Sequence, residues 1–308
     1  MSAANNPPAP RTTREARGRV PADGLELAFG FWPGRGAPVV ALHGLTASYV
    51  NFVGLAERLA GRLPLLAFDL RGRGDSDKPA GPYGFAQHAK DVAAAMRSFA
   101  LGPSIVLGHS MGGFIAAALA HQFPELVSGL VLVDGGYVPD RSAGASSSDA
   151  AINAALLERV TQLRESAPSR EAYVDTWLRK PHFPPKEAHT PWVRALLEYE
   201  VEGNGPVKPK ALEAGVVADL AEGLHRDEII ERLRTLRIPT LLLRAEQGFL
   251  PGQDPFYSDA RAQEILALSP LIEDHKFPGT THYTITLGVP GATAIADLLV
   301  DFSARLNP

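Results

Sequence analysis

Cysteine is absent from the 308 residues. That absence excludes disulfides, thiol nucleophiles, thiolate zinc sites and iron-sulfur ligation together, so any nucleophile is an oxygen or a nitrogen. An excess of positive charge is missing as well. The chain carries 30 Lys+Arg against 34 Asp+Glu, a formal net charge of -4, and has no global basic field with which to hold a nucleic-acid backbone or an anionic membrane. No apolar run approaches the ~18 residues that a membrane helix needs, and the N-terminus lacks the apolar stretch of a secretory signal. Neither nucleic acid nor membrane is expected as a partner, and a cytoplasmic location is the default expectation. The nine histidines show no metal-binding spacing, and the Gly-rich RGRGDS lacks a P-loop lysine, so neither a metal nor a phosphate-bearing cofactor is expected.

What is present reads as an ordinary globular protein. Hydrophobic residues make up 45% and charged residues 21%, close to the globular average. Short β-branched apolar runs at 38–42, 64–68, 104–107, 129–133, 240–243 and 271–277 predict buried strands, with an antiparallel pair ahead of them within 18–32. Helical patterns alternate with them at 52–61, 85–101, 111–123, 258–267 and 292–306. The expectation is an α/β fold: a mostly parallel sheet of about eight strands with helices on both faces. The rhythm breaks once. Residues 141–237 carry no strand-like run, open on the Ser/Gly-rich joint at 142–148 and continue with amphipathic stretches at 152–163 and 190–201. They predict a helical lid inserted into a core made of 19–140 and 238–308, with residues 1–18 a disordered tail.

One pentapeptide carries chemistry. Gly108-His109-Ser110-Met111-Gly112 fits G-x-S-x-G, with the apolar SIVLG running in and the helical GGFIAAALAHQF running out. This is the strand, sharp turn and helix that expose a nucleophilic serine above a sheet. After the first buried strand stands His43-Gly44-Leu45-Thr46, and after the second Asp69-Leu70-Arg71-Gly72-Arg73-Gly74-Asp75-Ser76.

In these three motifs the chain resembles the α/β-hydrolase superfamily, from about Val20 onward. The resemblance implies a cofactor-independent serine hydrolase for a small-molecule ester or related acyl compound, similar to bacterial carboxylesterases. It implies that the N–H groups of Leu45 and Met111 form the oxyanion hole. His43 and Gly44 then support the loop, His43 by hydrogen bonding rather than by direct catalysis. The general base follows the acid in chain order, which selects His282 in Pro278-Gly279-Thr280-Thr281-His282-Tyr283. His275 reads as a strand residue, His109 as turned away from the hydroxyl, and His88, His121, His182, His189 and His225 as surface residues.

The acid is where the chain departs from the common pattern. Most relatives carry an aspartate three residues after a glycine that follows the strand TLLL, but here Arg244-Ala245-Glu246-Gln247-Gly248 places an amide there. Two candidates remain, Asp134 at the end of GLVLVD and Glu246. A group of amide-cleaving hydrolases of the acetamidomethylene-succinate type is similar in HGLTAS, RGRGDSDKP, the strand-end aspartate, the Ala-Glu pair and the late His-Tyr. That likeness favours Asp134. Ester cleavage is the leading reading, with amide, lactone or carbon-carbon bond hydrolysis open on the same residues, and a ligand-binding receptor on the hydrolase fold as the alternative of another class. The aromatics Tyr137, Tyr173, Trp177, Phe183, Trp192 and Tyr199 are candidates for a substrate pocket, and Arg141, Arg164, Arg170 and Arg179 read as solvated.

Overall fold

A computed structural model describes residues 15–138, 147–183, 190–223 and 225–306. Eight strands form one sheet: β1 (Ala16–Pro21), β2 (Glu26–Trp32), β3 (Val39–Leu42), β4 (Leu65–Phe68), β5 (Ser104–His109), β6 (Val127–Val133), β9 (Thr240–Ala245) and β10 (Ile272–Phe277). Their order is β1-β2-β4-β3-β5-β6-β9-β10. Only the β1–β2 and β2–β4 pairings are antiparallel; from β4 onward every pairing is parallel. The sequence explains this directly, because strands covered on both faces must be apolar throughout, and all residues of β3, β4 and β5 are buried.

Helices cover the two faces. On one side α2 (Phe85–Ser98) and α3 (Met111–Gln122) pack with α8 (Arg226–Arg234), and on the other α1 (Val53–Leu59) packs with α11 (Val289–Leu306). The last helix begins three residues before its predicted start at 292, since Pro290 sits in the first turn, where its missing N–H costs nothing. Between α11 and β10 lies a single helical turn, α10 (Thr284–Leu287), that sequence periodicity is too short to reveal.

Between β6 and β9 the described chain is mainly helical: α4 (Ser147–Gln162), α5 (Arg170–Leu178), α6 (Pro191–Tyr199) and α7 (Glu213–Glu222) precede α8. Two corrections apply here. A small antiparallel pair, β7 (Val201–Glu202) and β8 (Lys208–Pro209), stands where no strand was expected, turned by Gly203 at φ +123°. Two residues per strand are too few to leave a periodic signal. At the N-terminus, β1 begins at Ala16 and so takes in residues assigned to the tail. Most of the joint at 142–148, together with Arg141 and His189, lies outside the described residues.

Candidate active site

The parallel strands end level with one another, and the chemistry-bearing side chains follow those ends. Leu42 pairs with Gly108, His109 with Val133, Val133 with Leu243, and Ala245 with Phe277. Ser110 is therefore one residue past β5, Asp134 one past β6, Leu45 three past β3 and His282 five past β10. This is the C-terminal edge at which open α/β sheets bind their ligands.

Ser110 turns the corner between β5 and α3 with φ 55° and ψ -121°, a conformation that a residue with a side chain rarely adopts. The turn is tight because both flanking glycines meet backbone. A Cβ on Gly108 would stand 2.1 Å from the Gly112 carbonyl oxygen, and one on Gly112 would stand 2.0 Å from that of Leu42. Strain and close approach together raise the Ser110 side chain off the sheet into a cavity wall that it shares with His282. Among the described residues its hydroxyl has no hydrogen-bond partner, so it is free to rotate.

His282 Nδ1 lies 2.7 Å from Asp134 Oδ2, with both side chains almost wholly buried. A carboxylate only accepts, so Nδ1 carries the proton and Nε2 keeps its lone pair. The other oxygen, Asp134 Oδ1, accepts from the Ala245 N–H at 3.2 Å. Asp134 itself sits at φ 46°, which lifts its carboxylate out of the strand line. The imidazole packs among the rings of Phe256, Phe249 and His109, with ring centroids at 4.4, 4.9 and 4.8 Å. Glu246 is elsewhere. It is exposed, and its Oε2 accepts from the Gly279 N–H at 2.8 Å, tying down the loop that carries His282 rather than touching its ring.

Two backbone N–H groups near the serine lack an acceptor among the described residues. Met111 opens α3, where its N–H has no intrahelical acceptor, and the Leu45 N–H on the neighbouring loop has none among the described residues. The Gly44–Leu45 peptide is oriented from behind by His43, whose Nδ1 donates to the Gly44 carbonyl at 2.7 Å while Nε2 accepts from the Leu70 N–H at 3.0 Å. Complete burial pushes the His43 imidazole down to about 3, so it stays neutral and keeps both bonds. Arg73, fully buried, donates to the Leu45 carbonyl at 3.0 Å from the far side.

Several residues depart from their expected surroundings. His109 is buried, its Nε2 donating to the His282 carbonyl at 2.9 Å, and burial lowers it to about 3. His88 is buried rather than at the surface, bonded to Asp219 at 2.9 Å, and His182 is buried against Trp177 and Tyr283. Helix patterns mark them as polar, but Asp219 and Tyr283, which pack on them, lie far along the chain. Of the aromatics, Tyr137 lines a large cavity beside Ser110, and Trp177 and Phe183 line a small one. Trp192 instead donates to the Leu287 carbonyl at 2.5 Å, and Tyr199 donates to Asp69 at 2.6 Å. Arg164 pairs with Glu213 at the surface. The sequence reading passed over Arg159, whose guanidinium donates to Thr46 Oγ1 at 2.7 Å and lies over the Trp177 ring at 4.5 Å. It also passed over Glu200, buried nearby, where desolvation raises its carboxyl to about 7.

Comparison with known proteins gives the same architecture. A family model described as the alpha/beta hydrolase fold matches residues 37–286. The 2-(acetamidomethylene)succinate hydrolase of Mesorhizobium japonicum is 31% identical over 251 residues, 81% of this chain and 83% of that protein. The sn-1-specific diacylglycerol lipase ABHD11 of Mus musculus is 38% identical over 99 residues, 31% of this chain and 32% of that protein. Among solved structures, that of E-2-(acetamidomethylene)succinate hydrolase superposes with a TM-score of 0.78 at 24% identity, covering 94% of this chain and all of the other. With a family model spanning most of its length and a hydrolase relative matched along four fifths of it, this chain is a hydrolase and belongs to the α/β hydrolase fold family.

Proposed function

We propose that this protein is a serine hydrolase that cleaves a carboxylic ester, or a related acyl bond, through an acyl-enzyme. The observation that carries the reading is the buried 2.7 Å contact between His282 Nδ1 and Asp134, on the same strand edge as a strained Ser110 and two unpaired backbone N–H groups. Ser110 Oγ attacks the carbonyl carbon as His282 Nε2 takes its proton, and Asp134 stabilises the imidazolium that forms. The carbonyl π electrons move onto oxygen, where the Leu45 and Met111 N–H groups meet the new charge. Collapse of the tetrahedral adduct breaks the bond to the leaving oxygen or nitrogen, which takes the proton from His282. Water then attacks the Ser110 ester by the same route and releases the acid. No step calls on a cofactor.

An amide is the second reading, supported by the acetamido compound in the name of the relative matched over most of the chain. Both reactions use the same oxyanion and base, and an amide asks more of the proton that His282 returns. The segment from 141 to 237 is read as a lid, since α4 and α7 contribute residues to the cavity beside Ser110. Turnover of p-nitrophenyl acetate by the whole protein and by Ser110→Ala tests the proposal. The variant is expected to lose on the order of 10^4 or more of kcat with an unchanged melting temperature. If it kept more than a tenth of the activity, Ser110 would not be the nucleophile.

A further inference from the structure

Two cavities of very different size meet at Ser110. One holds about 470 Å³, within the roughly 300–1,000 Å³ that accepts a sizeable organic ligand. Its wall is built from Phe85, Phe114, Leu156, Val160, Leu220 and Phe256, and Leu157 and Val217 stand at its mouth, 68% and 49% exposed. Most polar groups on its wall are already engaged, Arg261 by the Phe256 carbonyl among them, and Asn153 stands exposed. Asp219 is held by Arg73, His88 and the Gly84 N–H, the Tyr257 hydroxyl donates to the Tyr137 carbonyl, and the Tyr137 hydroxyl donates to Glu264. The other cavity holds about 60 Å³, room for about two water molecules at ~30 Å³ each, and presents Thr46, Asn51, Arg159 and Glu200.

The proton route says which part of a substrate enters which cavity. A leaving group must collect its proton from His282, and His282 lines the small cavity but not the large one. With the carbonyl oxygen fixed between the Leu45 and Met111 N–H groups, the leaving group points into the small cavity and the acyl group takes the other direction. We infer that the substrate couples a bulky apolar acyl group, a medium-length alkyl chain or an aromatic acid, to a compact leaving group. This rests on the serine-hydrolase reading of the site. It sets the chain apart from an enzyme shaped for a small acyl group such as acetyl.

The test is acylation of Ser110 and turnover along the series methyl acetate, methyl butyrate, methyl hexanoate and methyl octanoate, whose leaving group is compact, in the whole protein, in Val160→Trp and in Val217→Trp. Burial of each methylene is worth about a fourfold gain at most, so kcat/KM is expected to rise from acetate to hexanoate by on the order of 10- to 100-fold. Each tryptophan variant is expected to lower the hexanoate-to-acetate ratio at least tenfold. Val217 is half exposed, so its enlargement spares the core if Val160→Trp misfolds. Serine-dependent turnover that is flat or falls with acyl length, or a ratio untouched in a folded variant, overturns the acyl-pocket assignment and leaves the serine hydrolase standing. Absence of any acylation of Ser110 across the series removes both.

Discussion

If Asp134 orients His282, then Asp134→Asn should cripple the enzyme while leaving it folded. The amide fits the same space. Its oxygen can keep the 3.2 Å bond to the Ala245 N–H, which turns the NH2 toward His282 Nδ1 across the present 2.7 Å contact. A donor there forces Nδ1 to accept and puts the ring proton on Nε2, where it blocks removal of the serine proton. The loss expected is up to ~10^4 in kcat, equivalent to about 5.4 kcal/mol at 1.36 kcal/mol per tenfold. Glu246→Gln is the control at the other acidic position. Glu246 is exposed and accepts one bond from Gly279 N–H, so its loss is worth about 1 kcal/mol of loop stability and less than tenfold in rate. The assay is kcat on p-nitrophenyl acetate beside thermal melts of both variants, since removal of a buried charge can act through stability. A nearly active Asp134→Asn beside a crippled, fully folded Glu246→Gln would refute the reasoning and move the acid to the later strand.

Two further outcomes follow from the buried groups around the site. Glu200 has its carboxyl raised to about 7 by desolvation, so the folded state holds a proton that the unfolded chain releases near its ordinary 4.5. The sign follows: stability falls as pH rises from about 4.5 through 7, by roughly 3 kcal/mol in all, and Glu200→Gln should melt higher than the parent at pH 8 but not at pH 4. Equal melting differences at the two pH values would count against the buried acid. His43→Ala removes two buried hydrogen bonds and frees the Gly44–Leu45 peptide, so kcat should fall by about 10- to 100-fold together with the melting temperature. Full activity in a folded His43→Ala would mean that the loop holds its N–H without the imidazole.

The sheet was legible because burial on both faces writes itself into sequence as uninterrupted apolar runs, and β3, β4 and β5 have no exposed position at all. The elbow was legible for a local reason too, since strand, glycine, serine and glycine are adjacent in the chain. What local pattern cannot carry is pairing across distance. Asp134 and His282 stand 148 residues apart, and only the likeness to other hydrolases pointed from one to the other. His88 illustrates the failure. Its helix position reads as polar, yet it is buried because Asp219, 131 residues away, supplies the one acceptor that lets a histidine go inside. Arg159 and Glu200 were passed over because nothing in their neighbourhoods distinguishes a residue over the site from one facing solvent.

That long-range cluster also explains how the helical segment and the Leu45 loop form one unit. Asp219 on α7 pairs with Arg73 at 2.6 Å and bonds to His88, and the same arginine reaches the Leu45 carbonyl. Tyr199 at the end of α6 donates to Asp69, whose carboxylate also takes the Tyr49 and Asp75 N–H groups at 2.8 Å each. The RGRGDS turn therefore lies between the helices that wall the cavity and the loop that carries Leu45. Breaking one partner of a buried pair strands the other, at a cost of about 3–5 kcal/mol, so small displacements of α7 are resisted by charge as well as by packing. A site whose two N–H donors need placement to a fraction of an ångström benefits from such a frame, because misplacement costs rate even when the catalytic side chains are intact. The motif is thus better understood as the joint that holds the large cavity beside Ser110 and the Leu45 loop in register than as a simple turn after β4.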